Sequence, residues 1–253
     1  MHPIIFSFGV IHLYSYGFLV AIGVLSAIFL IRRNAKWILL NPDISVDLAM
    51  TTVVSGFIGA RIFYVLQHWS FFRGVPLDAL KIWEGGIVLY GGLIGGLIGF
   101  FLFVKWRGLS FLAMLDLFVP ATALAQGFGR LGCFLNGCCF GRESKLPWAV
   151  KFPFLDEKVH PTQIYESIYC FALAFFLYHL WKRRKTDGTV ALAYFILYPI
   201  GRFFIEFLRG DQRHYFLNFT LAQWMSLLFL AVAFYFFRIR KSSRGKNSAD
   251  RSS

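Results

Sequence analysis

Long apolar stretches separated by short polar connectors follow one another along almost the whole chain. Seven of them are long enough to cross a bilayer as helices, and they lie near residues 11–31, 46–67, 86–104, 112–131, 163–181, 189–208 and 219–237. The pattern predicts an all-α fold, a polytopic membrane helix bundle with about seven transmembrane helices. We expect residues 1–238 to form one integral-membrane domain with an outer-face segment at 132–162, and residues 239–253 to form a basic, disordered cytoplasmic tail.

Charged residues are arranged around these stretches as in a membrane protein. Hydrophobic residues make up 57% of the chain and aromatic residues 19%. The net charge of +13 comes from lysines and arginines that cluster in the connectors, which argues against a nucleic-acid partner because no basic stripe carries interleaved aromatics. The first, third and fifth connectors and the C-terminal segment hold 15 of them, against 8 in the other three connectors. The positive-inside rule therefore predicts an outside N-terminus and a cytoplasmic C-terminus.

The first apolar stretch resembles a retained helix more than a signal peptide. It lacks a basic flank and a small-residue cleavage site, because "MHPIIFSFG" runs directly into it.

A charged side chain inside an apolar stretch costs at least about 2.5–3.5 kcal/mol near the bilayer centre when it is ionised. Asp116 begins the fourth stretch near the predicted cytoplasmic face, and five charged residues gather toward the outer side. They are Arg61, Arg130, Glu166, Arg202 and Glu206. With the predicted orientation they lie in the outer half of the bundle, together with Tyr16, Tyr90 and His160. Three intramembrane arginines predict an anion-binding site rather than a proton relay. We therefore include Arg61 and His160 among the candidate substrate-binding residues.

Simpler interpretations of these residues stay open. Arg202, Glu206 and Arg209 have the spacing of an ion ladder on a single helix. Arg61 or Arg209 could extend to the outer lipid headgroups. His160 could serve as a helix cap, with the following proline in the first helical position.

Arg130 is harder to assign to a structural role. It stands between Gly129 and Gly132, and such small neighbours let a ligand or another backbone approach closely.

Glycines at every fourth position mark the third apolar stretch. Gly91, Gly95 and Gly99 lie within "YGGLIGGLIG", where no strand precedes them as a phosphate-binding loop would require. The spacing predicts a small-xxx-small helix-packing face, with Tyr90 at its outer end.

Three cysteines, Cys133, Cys138 and Cys139, lie in "GRLGCFLNGCCFG" (129–141), and Cys170 lies in the fifth stretch. The C-x4-C-C spacing with no nearby histidine does not fit a zinc site, and we expect no metal at these cysteines. A disulfide from Cys133 to Cys138 or to Cys139 stays open, because the predicted topology places them on the oxidising side. The default interpretation is that all are small hydrophobic residues.

Five motifs carry a resemblance to a known family. They are "LYSYG" (13–17), "GGIVLYGGLIGG" (85–96), "GRLGCFLNGCCFG", "HPTQIYES" (160–167) and "GRFFIEFLRGD" (201–211). From about Pro3 to Arg238 the chain resembles bacterial prolipoprotein diacylglyceryl transferase. The resemblance implies an enzyme of the bacterial inner membrane whose active site faces the outer leaflet. It would transfer the diacylglyceryl group of phosphatidylglycerol to the lipobox cysteine thiol in prolipoprotein signal peptides, and it would need no metal or soluble cofactor.

The resemblance also implies roles for single residues. Arg130 would bind the phosphatidylglycerol headgroup, and Arg202 would be a second essential cation. Four further residues would shape the substrate site: Tyr16, Asn136, Gly141 and Glu206. A transporter or scramblase of anionic lipid, using the same arginines without chemistry, is the alternative function.

The chain departs from the family pattern at three positions. Tyr90 stands where much of the family has a histidine, a plausible base for the substrate thiol. A phenol with an ordinary pKa of about 10 is a poor base at neutral pH, so the identity of the base stays open and we expect Tyr90 to act as a catalytic hydrogen-bond donor. Cys133 and Cys138 replace an asparagine and a glutamate of the signature.

Overall fold

The computed structural model describes residues 4–8, 11–38, 40–81, 85–210 and 215–249. Its helices are α1 (Ser15–Ala35), α2 (Pro42–Gln67), α3 (Trp69–Phe72), α4 (Leu89–Trp106), α5 (Phe111–Asn136), α6 (Thr162–Arg183), α7 (Thr189–Phe207) and α8 (Leu221–Ala249). Its strands form three antiparallel hairpins, β1 (Ile4–Phe8) with β2 (Ile11–Tyr14), β3 (Val150–Lys151) with β4 (Lys158–Val159), and β5 (Tyr215–Phe216) with β6 (Phe219–Thr220). Two short 3-10 helices lie at Lys36–Ile38 and Pro76–Leu80.

The membrane-spanning character of the fold is confirmed. Within the described residues, six helical segments are long and apolar enough to cross a bilayer, and the apolar part of α8, Leu221–Phe234, is shorter. The six are Ser15–Ile38, α2, α4, α5, α6 and α7. The side chains that would face lipid are apolar, as for Phe29 and Phe175, which are 67% and 68% exposed.

The structure differs from the prediction at the start of the first span. Residues 11–14 form β2 rather than the start of the first span, and α1 begins at Ser15. Mean hydropathy cannot separate an apolar strand from an apolar helix, so the sequence pattern predicts β2 and α1 as one continuous apolar stretch. At the C-terminal end, α8 is described through Ala249, and the disorder of residues 239–253 stays a prediction.

The chain divides into two compact units, of which one is Ile28–Met114. Its main feature is the close packing of α2 against α4. A Cβ added to Gly59 of α2 would lie 2.8 Å from the Cα of Gly95, and one added to Gly91 would lie 2.5 Å from the carbonyl oxygen of Gly59. The predicted small-xxx-small face on α4 is confirmed, and its partner is a matching face on α2.

The second unit combines residues up to Ala27 with residues from Leu115 onwards. Two side chains of α6 fix its position against its neighbours. Ser167 donates a hydrogen bond of 2.9 Å to the carbonyl of Gly127 in α5, and Tyr169 donates one to the carbonyl of Leu197 in α7. These contacts set the axial register of three helices, and they determine which charged residues face one another.

Asp116 belongs to the framework of the second unit. It is fully buried, accepts hydrogen bonds of 2.8 Å from the backbone of Gly188 and Ala191, and lies 3.4 Å from Arg184. The carboxylate therefore satisfies the free N–H groups at the start of α7 and interacts favourably with the helix dipole.

Candidate active site

Two arginines share one buried glutamate where α5, α6 and α7 meet. Nη2 of Arg130 lies 3.0 Å from Oε1 of Glu166, and Nε of Arg202 lies 3.6 Å from the same oxygen. The Glu166 side chain is 3% exposed, and the two arginine side chains are 23% and 11% exposed. A carboxylate so deeply buried is tolerated only with cationic partners, so Glu166 holds the two guanidinium groups beside each other.

The row of charges continues toward α8. Nη1 of Arg202 lies 2.8 Å from Oε2 of Glu206, one turn further along α7. The other oxygen of Glu206 accepts a hydrogen bond of 2.8 Å from Thr220, whose backbone N–H donates to the side chain of Gln223. Arg202 and Glu206 thus form part of an ion ladder on α7, but the ladder is joined to α6 through Glu166 and is not self-contained.

Arg130 differs from Arg202 in what remains available on its guanidinium group. Its contact with Glu166 uses Nη2, and its Nε and Nη1 groups donate no hydrogen bond to another residue in the described part of the chain. A guanidinium with paired charge and spare donors can bind a phosphate through two parallel hydrogen bonds.

Arg61, in the other unit, is bound quite differently. All five N–H donors of its guanidinium are used by backbone carbonyls, at 2.6–3.2 Å. The acceptors belong to Asp78, Ala79, Lys81, Gly85 and Gly86. The rings of Tyr64 and Phe72 lie 5.4 and 5.6 Å from the guanidinium carbon. Arg61 is therefore buried and does not extend to the headgroups, and its geometry is that of a structural residue rather than a substrate ligand.

Arg209 is also buried, at 7% exposed, so it does not extend to lipid headgroups either. Its carbonyl accepts a 3.4 Å hydrogen bond from Nε of Arg142.

Gly141 lies where three segments of the second unit meet. Its N–H donates to the carbonyl of His160 at 2.8 Å, and the next residue donates to the carbonyl of Leu208. A Cβ at Gly141 would lie 2.5 Å from the Cβ of His160 and 2.7 Å from the carbonyl oxygen of Leu208. Glycine is thus required by backbone packing that joins the 137–162 segment to the end of α7.

His160 does not cap α6 with its side chain. The N-cap position is Pro161, helix α6 begins at Thr162, and no side chain caps it. Nδ1 of His160 lies 3.3 Å from the hydroxyl of Tyr165, which also accepts a hydrogen bond of 2.8 Å from Trp148. The interpretation of His160 as a cap, with proline first in the helix, is therefore wrong.

Tyr16 and Asn136 belong to the same unit as Arg130. Tyr16 packs against Gly132, where an added Cβ would lie 3.1 Å from its ring, and the tyrosine is 44% exposed. Asn136 is the exposed last residue of α5.

Tyr90 belongs to the first turn of α4, in the Ile28–Met114 unit, and is 43% exposed. Its hydroxyl makes no hydrogen bond to another described residue, so it is available to a ligand.

The three cysteines after Arg130 come together. Their sulfur atoms all lie within 4.8 Å of one another, and each residue is half-buried. The pKa of Cys139 is lowered, first by hydrogen bonds from Cys133 and Cys138 and further by the charges of Arg209 and Arg130. All four cysteines of the chain are free thiols in the structure.

Comparison with known proteins identifies the family of this chain. The sequence model of the prolipoprotein diacylglyceryl transferase family matches residues 3–239. The chain belongs to this family. It is 40% identical to the phosphatidylglycerol–prolipoprotein diacylglyceryl transferase of Clostridium tetani, over 94% of this chain and 98% of that protein. It is 35% identical to the enzyme of the same name from Fervidobacterium nodosum, over 96% and 87% of the two chains.

Glu166 is the site residue that sequence reasoning misses. The sequence marks it as an intramembrane charge but gives it no role in the site, whereas the structure pairs it with both Arg130 and Arg202. The available signal is its type and position, because a carboxylate inside an apolar span needs a cationic partner. The alternative of a lipid transporter or scramblase finds no support among these relatives.

Proposed function

We propose that this protein transfers the diacylglyceryl group from phosphatidylglycerol to the lipobox cysteine of prolipoproteins, the first step of lipoprotein maturation. The proposal is supported by family membership and by the names of the relatives. Arg130 is the observation that connects the proposal to a particular site, because a half-buried guanidinium held by Glu166, with donors that no other described residue uses, suits the phosphodiester of an anionic lipid.

The reaction needs stabilisation of a leaving group. The substrate thiolate attacks the glycerol carbon that bears the phosphate, so that a carbon–sulfur bond forms and the carbon–oxygen bond breaks. The electron pair moves onto glycerol phosphate, and the thiol proton passes to a base. Donors on Arg130 that strengthen as this negative charge develops lower the barrier. Glu166 holds Arg130 and Arg202 in place before substrate binds, so that little reorganisation is needed.

Roles for the remaining residues follow their positions. Tyr16 and Asn136 are exposed residues of the unit that carries Arg130, and they would contact substrate. Gly141 and His160 would act indirectly, by holding the 137–162 segment. Glu206 would position Arg202, and Tyr90 would donate a hydrogen bond to the phosphate. Arg61 would support the segment before α4 instead of binding substrate.

The predicted topology supports a location for the reaction. The distribution of lysine and arginine supports an outside N-terminus in the bacterial inner membrane, with Arg130 and Arg202 in the outer half of the bilayer. The lipobox cysteine of a translocated signal peptide would reach this half.

Incubation of the purified protein with phosphatidylglycerol and a synthetic lipobox peptide tests the proposal. We expect the peptide to gain the mass of one diacylglyceryl unit, localised to its cysteine. A peptide with serine in place of cysteine and vesicles of phosphatidylethanolamine are the controls, and both should give no product. Absence of the mass gain with the cysteine peptide would refute the proposal.

A further inference from the structure

The three thiols of Cys133, Cys138 and Cys139 form a group that the proposed reaction does not use. Within the described residues, this is the one cluster of three or more cysteine, histidine or acidic side chains close enough to share a metal ion. All three potential ligands are sulfur, which favours thiophilic ions of the zinc group over magnesium or calcium.

Backbone geometry at the end of α5 brings the thiols together. Gly137 has a left-handed conformation (φ +77°), and its N–H donates to the carbonyl of Phe134. The N–H of Cys138 donates to the carbonyl of Cys133, so the helix ends in a Schellman motif. This motif brings together the side chains of the two residues joined by its outer hydrogen bond, and here these are Cys133, fourth from the end of α5, and Cys138, second after it. The spacing C-x4-C-C thereby brings two thiols as close together as a metal-binding C-x-x-C turn does.

Two side chains at the start of α6 fix the backbone of Cys138 and Cys139. Thr162 donates a hydrogen bond of 2.8 Å to the carbonyl of Cys139, and Gln163 donates one of 2.7 Å to the carbonyl of Cys138. Cys139 has a φ of +66°, a conformation that a non-glycine residue keeps only when its surroundings impose it. The thiols are therefore positioned by the fold and not by their own attraction.

The sulfur positions suit a shared ion. Zinc–sulfur bonds of about 2.3 Å in a tetrahedron require sulfur atoms about 3.8 Å apart. The observed separations, at most 4.8 Å, reach that value through small side-chain rotations. The C-terminal end of α5 carries a partial negative charge that favours a cation.

We propose that Cys133, Cys138 and Cys139 bind one thiophilic divalent cation of the Zn²⁺ or Cd²⁺ type, as three thiolates with a fourth position left for water. Binding displaces the three thiol protons into solvent and involves no oxidation. The site would fix the end of α5 relative to the start of α6. It does not depend on the proposed transfer reaction.

Titration of the reduced, purified protein with Cd²⁺ tests the proposal through the ultraviolet thiolate-to-cadmium absorption band. We expect saturation at one Cd²⁺ per chain, with no band for Mg²⁺. Cys139→Ser and Cys133→Ala should weaken binding at least thirtyfold. Cys170→Ser is the matched control, because Cys170 is a fully buried cysteine in α6 outside the cluster, and it should bind like the wild type.

A second measurement needs no variant. All three cysteines fall on one tryptic peptide, residues 131–142, so alkylation of the native protein can be followed by the mass of that peptide. Bound Cd²⁺ should slow alkylation of the cysteines in this peptide at least tenfold. Equal alkylation with and without Cd²⁺, absence of the absorption band, an unchanged band in Cys139→Ser, or a disulfide within this peptide as isolated from membranes would each overturn the proposal.

Discussion

Arg61 and Arg130 each lie within the last two turns of a long apolar helix, and each is largely removed from water, but their guanidinium groups are used differently. Arg61 donates all five of its N–H groups to backbone carbonyls, those of residues 78, 79, 81, 85 and 86. Arg130 is paired with one carboxylate, and its Nε and Nη1 groups donate to no other residue that the structure describes. The comparison teaches that the presence of an arginine inside a membrane span does not identify an anion site. An anion site is indicated instead by an intramembrane arginine whose guanidinium still has N–H donors that the protein does not use.

Replacement of Arg61 should have the largest effect, and it should be an effect on stability. Arg61→Gln leaves several buried carbonyls without a donor, at about 1–3 kcal/mol each, so we expect a loss of about 5 kcal/mol or a failure to fold. Arg61→Lys should rescue little, because an ammonium has three donors and no planar fork. Thermal unfolding in detergent measures both variants. A folded Arg61→Lys protein with wild-type stability and abolished transfer would instead show a direct role in substrate binding.

Arg202→Gln should reduce both stability and transfer. Glu206 is buried and loses its partner at 2.8 Å, which costs about 3–5 kcal/mol when one member of a buried pair is removed. Transfer should fall by more than about a hundredfold. In the double variant Arg202→Gln/Glu206→Gln, most of the stability should return while transfer stays low. Recovery of transfer in the double variant would mean that Arg202 acts only through folding.

Gly141→Ala should destabilise the protein by about 1–3 kcal/mol, because the new methyl group overlaps His160 and the carbonyl of Leu208. Gly129→Ala is the matched control, since nothing lies within 4 Å of a Cβ at that position, and its thermal midpoint should match the wild type. A fully stable Gly141→Ala variant that has lost transfer would place Gly141 in contact with substrate rather than in the backbone packing.

Tyr90→Phe should have the smallest effect of this set. Loss of one hydrogen bond to the phosphate raises the barrier by about 1–2 kcal/mol, or about five- to thirtyfold in rate. Tyr90→His should restore much of the rate, because imidazole also donates. Rates measured against pH for the three proteins distinguish a donor from a base. A Phe variant that is folded but slower by more than a thousandfold would make Tyr90 an obligatory base.

The helices and the glycine face of α4 could be predicted from the sequence, because spanning helices and small-xxx-small packing leave strong local signals. The different use of the guanidinium groups of Arg61 and Arg130 could not be predicted from the sequence. The partners of Arg61 are backbone carbonyls of the segments between α3 and α4, and no sequence pattern predicts the direction of a carbonyl group in such a segment. The pairing of Glu166 with both Arg130 and Arg202 depends on helix register, which Ser167 and Tyr169 set through contacts with two other helices.

The cysteine cluster is an intermediate case. Its spacing argued against a metal site, but Gly137 at the end of α5 is a recognisable helix-ending signal. Applied to "CFLNGC" (133–138), that signal predicts contact between the first and last residues of the run.

The central claim is that Arg130, with its spare donors, binds the phosphate of the lipid substrate. Transfer of diacylglyceryl to a lipobox peptide by the Arg130→Gln variant, in vesicles with increasing phosphatidylglycerol, tests it most directly. We predict a fall of more than about a hundredfold in rate at every lipid concentration, from the loss of about 3 kcal/mol of interaction with the developing negative charge, with a thermal midpoint close to that of the wild type. A stable Arg130→Gln protein that transfers at a near-normal rate would show that Arg130 does not bind the phosphate.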